Sequence, residues 1–337
     1  MSWNFLGNEN AVALLKEQTR PEKLRHSYLL TGPQGVGRRT LALAMIKALN
    51  CANPPSPGEF CDDCLPCRQI NAHTFSDLTI LTPPAGSREL RIDQVRRMQQ
   101  TLALAPFQSR YRVVLIPDFQ NATVAASNAL LKSLEEPPAR AVIILTADAR
   151  ESLLETIASR CEHLRLHPLS IATAEKELIE VYGLAPERAQ LLAHLTGGRI
   201  GAALDFERDP LAVQEHSAAL ADLEDLLGSN KRQRLQYVER LSRQKKTPRD
   251  KFRQLISVWL NFWRDVMITC RGADLPLVNL EKADLVRATA GEIDAGQADQ
   301  LLRLHEDALG QLDAYVNPRM VIEYVLLSLP RVEVAKA

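Results

Sequence analysis

The sequence predicts a parallel, doubly wound α/β domain followed by an all-α region. Up to about residue 167, short β-branched or Leu-rich runs alternate with helical patterns, the order that βαβ units produce. Several of those runs are apolar without interruption, as strands covered on both faces are. After Pro168 the strand-like runs stop, and helical pattern punctuated by Gly, Pro and Asp continues to the end.

Taken in order, the predicted strands are Ser27–Thr31 (SYLLT), Asp77–Leu81 (DLTIL), Arg112–Ile116 (RVVLI), Ala141–Thr146 (AVIILT) and His163–Leu166 (HLRL). A helix over SNALLKSLEE gathers Leu130, Leu131 and Leu134 on one face, and Pro137-Pro138 enforces its stop. In the second half a compact helical unit is expected from about Ser170 to Phe206, closing on GGRIGAAL. In KFRQLISVWLNFWRDVMI, Phe252, Leu255, Ile256, Trp259, Trp263 and Val266 recur at helical spacing, which predicts a helix buried in a bundle. A last helix starts at Asn317-Pro318, a cap followed by a first-turn proline.

The chain has 337 residues, too many for one ordinary core, and 41 Lys+Arg balance 41 Asp+Glu. No global charge drives it onto nucleic acid or membrane, so any such contact is local. The N-terminus lacks the basic-then-apolar order of a signal peptide, and no apolar run approaches the roughly 20 residues of a membrane span. A cytoplasmic protein is expected. Three regions result: 1–167, with a Cys-rich module at 51–67, then 168–208 and 209–337.

Four of the six cysteines crowd into one stretch, CANPPSPGEFCDDCLPC. The spacing is C-x9-C-x2-C-x2-C through Cys51, Cys61, Cys64 and Cys67. A C-x2-C pair lets two thiolates reach one ion from a tight turn, and four complete a closed tetrahedral zinc site, structural rather than catalytic. An iron–sulfur cluster or four reduced thiols are the other readings. His73 nearby reads as a turn residue.

TGPQGVGRRTLA follows the first strand and opens a helix, the context of a phosphate-binding loop. Gly32, Gly35 and Gly37 keep the frame, so the backbone amides of a phosphate cradle survive. The side chains do not. Arg38 stands where the Lys belongs and is wider and planar, and Arg39 replaces the hydroxyl that would bind Mg²⁺. Thr40 has a hydroxyl but points about 100° further around the helix. At a second place, RVVLIPDFQ has the form of a strand leading to a metal-binding acid pair, yet Pro117 precedes the lone Asp118. Two separate losses argue for an ATPase fold without its chemistry.

HSYLLTGPQGVGRRTLA, the Cys cluster, IDQVRRMQQTLALAPFQSRYRVVLI, SNALLKSLEEPP and ETIASRC occur in the order found in bacterial clamp-loader AAA+ subunits. With them the chain resembles the delta-prime family of the DNA polymerase III clamp loader, densely over the first half and more loosely afterwards. The resemblance implies an AAA+ nucleotide-fold domain with an inserted zinc module, a small helical lid and a C-terminal helical collar for oligomerisation. It implies a subunit that does not hydrolyse ATP. The arginine of its SRC motif, Arg160 here, would be donated across the subunit interface to a neighbour's nucleotide. Implied partners are the gamma/tau and delta subunits, the sliding clamp and primed DNA. Gly201 stands in GGRIGAAL where related ATPases place a sensor arginine, and Arg199 would lie on another face of that helix.

Two other readings compete. One is a gamma/tau-like ATPase that tolerates Arg38 and uses Asp118 as its base. The other is a zinc-dependent nucleic-acid-binding protein, for which GEFCDDCLPCRQ is too acidic. Arg96 and Arg97, on a predicted helix, suit either DNA contact or a solvated face. Whether nucleotide binds at Gly32, Gly35, Gly37 and Arg38 stays open at this stage.

Overall fold

The computed structural model describes residues 3, 5–84, 86–242, 248–314 and 316–332. The chain divides into two compact units, one of residues 1–169 with 199–202, the other of 170–198 with 203–337.

In unit 1 the order is α1 (Glu9–Gln18), β1 (Ser27–Thr31), α2 (Arg38–Asn50), α3 (Leu65–Asn71), β2 (Leu78–Ile80) and α4 (Ile92–Leu102). There follow β3 (Arg112–Ile116), α5 (Val124–Glu135), β4 (Ala141–Ala147), α6 (Glu155–Ala158) and β5 (Glu162–Arg165). All ladders are parallel, in the order β2-β3-β4-β1-β5. The five expected strands are present. β2 is shorter than expected by a residue at each end, and β5 ends at Arg165 because its pairing with β1 stops at Thr31.

Strand alternation divides the core into two layers. Tyr28, Leu30, Val113, Leu115, Val142 and Ile144 face α1 and α2, meeting Leu15, Leu41, Met45 and Leu49. Leu29, Val114, Ile116, Ile143 and Leu145 face the other way, onto Val95, Met98 and Leu102 of α4 and Leu130 and Leu134 of α5. Both faces are therefore covered, which is why β1, β3 and β4 read as unbroken apolar runs and are buried at every position. Asp77 and Arg112, buried together 3.1 Å apart, tie the stretch before β3. Asp77 accepts from the Phe107 and Gln108 amides and Ser109, and those bonds with Arg112 outweigh burial and hold its carboxyl below the usual range.

Unit 2 is helical among its described residues: α7 (Ile171–Glu180), α8 (Pro186–Leu195), α9 (Ile200–Arg208), α10 (Pro210–Gly228) and α11 (Lys231–Ser242). Then come α12 (Pro248–Cys270), α13 (Ala283–Glu292), α14 (Ala295–Asp313) and α15 (Pro318–Ser328). α9 is shared, its first residues 200–202 grouping with unit 1. The expected apolar stripe of α12 is buried throughout, joined by Phe262, and Trp259 Nε1 donates to the Ala219 carbonyl at 2.9 Å. Asn317 caps α15 as its residue type predicts, accepting from Arg319 N. Two buried charges are satisfied by backbone. Arg234 donates to the carbonyls of Leu226, Leu326, Leu329 and Pro330, where α10 and α15 end. Asp265 accepts from the Val278 and Asn279 amides. No described helix is long and apolar enough to cross a membrane.

Candidate functional site

In a doubly wound sheet the loops beyond the carboxyl ends of the strands converge on one edge. Here the loop after β1 (residues 32–37) and the residues after β3 and β4 meet there. Gly37, the N-cap of α2, has φ 102°, a left-handed conformation that suits glycine. Gly35 approaches residues 199–202 closely. Its carbonyl accepts from Gly201 N at 2.9 Å, and a Cβ on Gly201 would lie 2.7 Å from that oxygen. The glycine at 201 is thus required by packing as well as being the absence of an arginine. Arg199 precedes α9 rather than lying on it, correcting the expectation of another helix face; its Nη1 donates to Gln34 O at 3.2 Å.

Arg38, the first residue of α2, is 7% exposed. Its Nη1 donates to Asp148 Oδ1 at 2.7 Å and its Nη2 to Asp118 Oδ1 at 2.9 Å. The guanidinium fork is therefore spent on two carboxylates of its own chain. Asp118 is positioned by its amide, which donates to Thr146 Oγ1 of β4, and Asp148 by Gln120 Nε2 at 3.1 Å. One positive and two negative groups leave these three side chains with a net negative charge. Arg39 and Thr40 are exposed, and Arg39 Nη2 lies 3.4 Å from His73 Nε2. Asp148 was not singled out in the sequence, although it is the first polar residue after the apolar β4 run.

The four cysteines come together from three places. Cys51 closes α2, Cys61 lies in the loop, Cys64 precedes α3 and Cys67 is within it. Their Sγ atoms all lie within 4.8 Å of one another, with Cys51 3.5 Å from Cys61 and 3.8 Å from Cys64. A tetrahedral ion with bonds of about 2.3 Å places its sulfurs about 3.8 Å apart, close to the two separations involving Cys51, so the donor set suits a tetrahedral thiolate-bound ion such as zinc. The Cys61 amide donates to Cys51 Sγ and the Cys64 amide to Cys61 Sγ. Burial pushes the Cys51 and Cys67 thiols up, whereas at Cys64 hydrogen bonds, led by the Cys67 and Ala52 amides, outweigh burial and bring it down to about 6. Four thiolates this close repel one another unless a cation neutralises them. His73 is outside the set, in a left-handed turn after α3.

Arg160 is exposed beyond α6 and away from these groups. Its Nη2 lies 2.5 Å from Glu135 Oε1 at the end of α5, and its Nη1 donates to Thr156 O at 2.8 Å. The Cys161 thiol beside it is pushed up to about 11 by burial. Arg96 and Arg97 are exposed on α4.

A family model described as DNA polymerase III, delta subunit, matches residues 7–170. The chain is 36% identical over 183 residues to the DNA polymerase III subunit delta' of Pseudomonas aeruginosa, covering 54% of this chain and 55% of that one. It is 29% identical over 211 residues to the subunit delta' of Bacillus subtilis, covering 62% of each. To the subunit tau of Bacillus subtilis it is 24% identical over 349 residues, covering 97% of this chain and 61% of that one. The chain thus spans less than two thirds of the length of each of these relatives.

Proposed function

We propose, from the match of residues 7–170 to a DNA polymerase III delta-subunit model and the similarity to two delta' subunits, that the chain is a non-hydrolysing clamp-loader subunit. In this reading it sits in a ring with gamma/tau and delta subunits and helps place the sliding clamp on primed DNA. Unit 1 supplies an AAA+ nucleotide fold, and residues 168–208 and 209–337 serve as lid and oligomerising collar. The observation that carries the reading is Arg38 bonded to both Asp118 and Asp148. A hydrolysing site holds Mg²⁺ beside such acids and aims a cation at the phosphates. Here one guanidinium occupies the acids, and the place of the phosphate-binding Lys is gone.

Arg160 then acts on a neighbour's nucleotide. A guanidinium supplied in trans stabilises charge on the transferring phosphoryl group and can be worth several powers of ten in rate. Its exposure, outside its own chain's loop, suits such a role. Cys51, Cys61, Cys64 and Cys67 hold a structural zinc ion that fixes the end of α2 against α3; with four thiolates it has no open position for water. A gamma/tau-like ATPase is the second reading, favoured by the tau alignment over 97% of the chain.

Clamp- and DNA-stimulated ATPase of the reconstituted complex decides between them, measured with the wild-type chain, with Arg160→Ala and beside the chain alone. A silent isolated chain and a complex whose rate falls at least ten-fold with Arg160→Ala are expected. Turnover by the isolated chain, with Arg160→Ala without effect in the complex, would establish the ATPase reading instead.

A further inference from the structure

Arg160 is held from two sides. Its backbone is fixed where Ser27 Oγ, buried at the start of β1, donates to the Arg160 carbonyl at 2.7 Å. His26, the preceding residue, bonds through Nε2 to Leu134 O at 2.9 Å, anchoring the last turn of α5 to the same strand. The ends of α5 and α6 are therefore both tied to the start of one central strand, and this fixes the separation between Glu135 and Arg160. Across it runs the ion pair at 2.5 Å, while Thr156 O takes a second N–H. Glu135 and Thr156 together take two of the five guanidinium N–H groups.

An exposed ion pair of this kind adds little to fold stability. Its consequence is geometric: an arginine already placed loses less side-chain freedom when it engages a phosphate than one that must first be ordered. We propose that Glu135 is a positioning residue for Arg160, holding Nη2 while Thr156 O holds Nη1, so that the guanidinium is already oriented when it meets the neighbouring subunit's nucleotide. This rests on the reading of Arg160 as a residue donated in trans. Glu135 touches no substrate itself.

The test uses the reconstituted clamp-loader complex with Glu135→Gln, Arg160→Ala, the double variant, and Glu136→Gln as the adjacent exposed carboxylate. Assembly is checked by size exclusion and ATPase by kcat and KM. Ordering one long side chain corresponds to roughly a five-fold effect. Glu135→Gln is therefore expected to lower kcat about five-fold with KM within two-fold, Glu136→Gln to leave both unchanged, and the double variant to fall no further than Arg160→Ala alone. An unchanged or raised kcat for Glu135→Gln beside a lowered one for Arg160→Ala overturns the positioning role but leaves the trans-acting arginine standing. A loss that tracks lost assembly also overturns it. If Arg160→Ala has no effect, the proposed function itself falls.

Discussion

Arg38 shows how one side chain changes what a loop can do. Lys at its position would present a compact ammonium to phosphate, whereas the planar fork of Arg38 matches two carboxylates, Asp118 and Asp148. Restoring the loop's spelling is not expected to confer hydrolysis. A chain carrying Arg38→Lys with Arg39→Thr still has Pro117 before Asp118, and Gly35 packed on Gly201 where no arginine side chain fits. Phosphate release by this isolated variant is expected to stay at background. Stability is expected to fall by about 1 kcal/mol in urea unfolding, since an ammonium spans the half-exposed carboxylates less well. Measurable turnover would mean that the loop residues alone had silenced the site. The glycine frame and the two displaced residues were legible in the sequence because motif spacing is local. The Arg38–Asp148 partnership was not, because it joins residues 110 positions apart through sheet topology.

Among elements, the Cys module is the one most fully written in the sequence: a spacing of C-x9-C-x2-C-x2-C implies four ligands on one ion, and the four sulfurs converge. What spacing cannot express is how the module is fastened. Trp3 Nε1 donates to Gly58 O at 2.8 Å, Lys16 pairs with Glu59 at 2.7 Å, and Lys47 lies 4.1 Å over the Phe60 ring. The same holds in unit 2, where the stripe of α12 was predictable but Arg234 gathering carbonyls from the ends of two helices was not. Fastened from several directions, the module is expected to keep part of its shape without metal. Atomic absorption is expected to give one zinc per chain, falling to below about 0.1 in Cys64→Ser. Chelation is expected to lower the melting temperature of unit 1 by roughly 10 °C, corresponding to about 3 kcal/mol, well short of the 10 or more of a free zinc peptide. Iron with visible absorbance in place of zinc would reassign the site.

For the whole molecule, two units with separate cores imply two unfolding transitions, and their acid responses differ. Burial in unit 2 pushes His216 and His305 down to about 4, so both are neutral in the folded protein and take up protons only when unfolded or strongly acidified. His305 is enclosed by aromatic rings, 6.5 Å from Trp259 and 6.2 Å from Trp263, and its Nδ1 bonds to Leu301 O at 2.7 Å. The unfolded chain binds these protons near pH 6.5. Their contribution is thus complete above that pH and is lost as the pH falls from about 6.5 to 4, at roughly 1.4 kcal/mol per pH unit for each histidine. In unit 1, His163 shifts the same way through burial, whereas the lowered Asp77 costs stability only in stronger acid. Unit 2 is therefore expected to melt first as the pH falls from 7 to 5. Fluorescence tracks this well, because two of the three tryptophans, Trp259 and Trp263, flank His305. In His305→Met the pH slope of that transition should fall by about half whatever the variant's absolute stability, since one of two titrating groups is gone. An unchanged slope would show that His305 is protonated in the folded helices, and that acid acts on the molecule elsewhere.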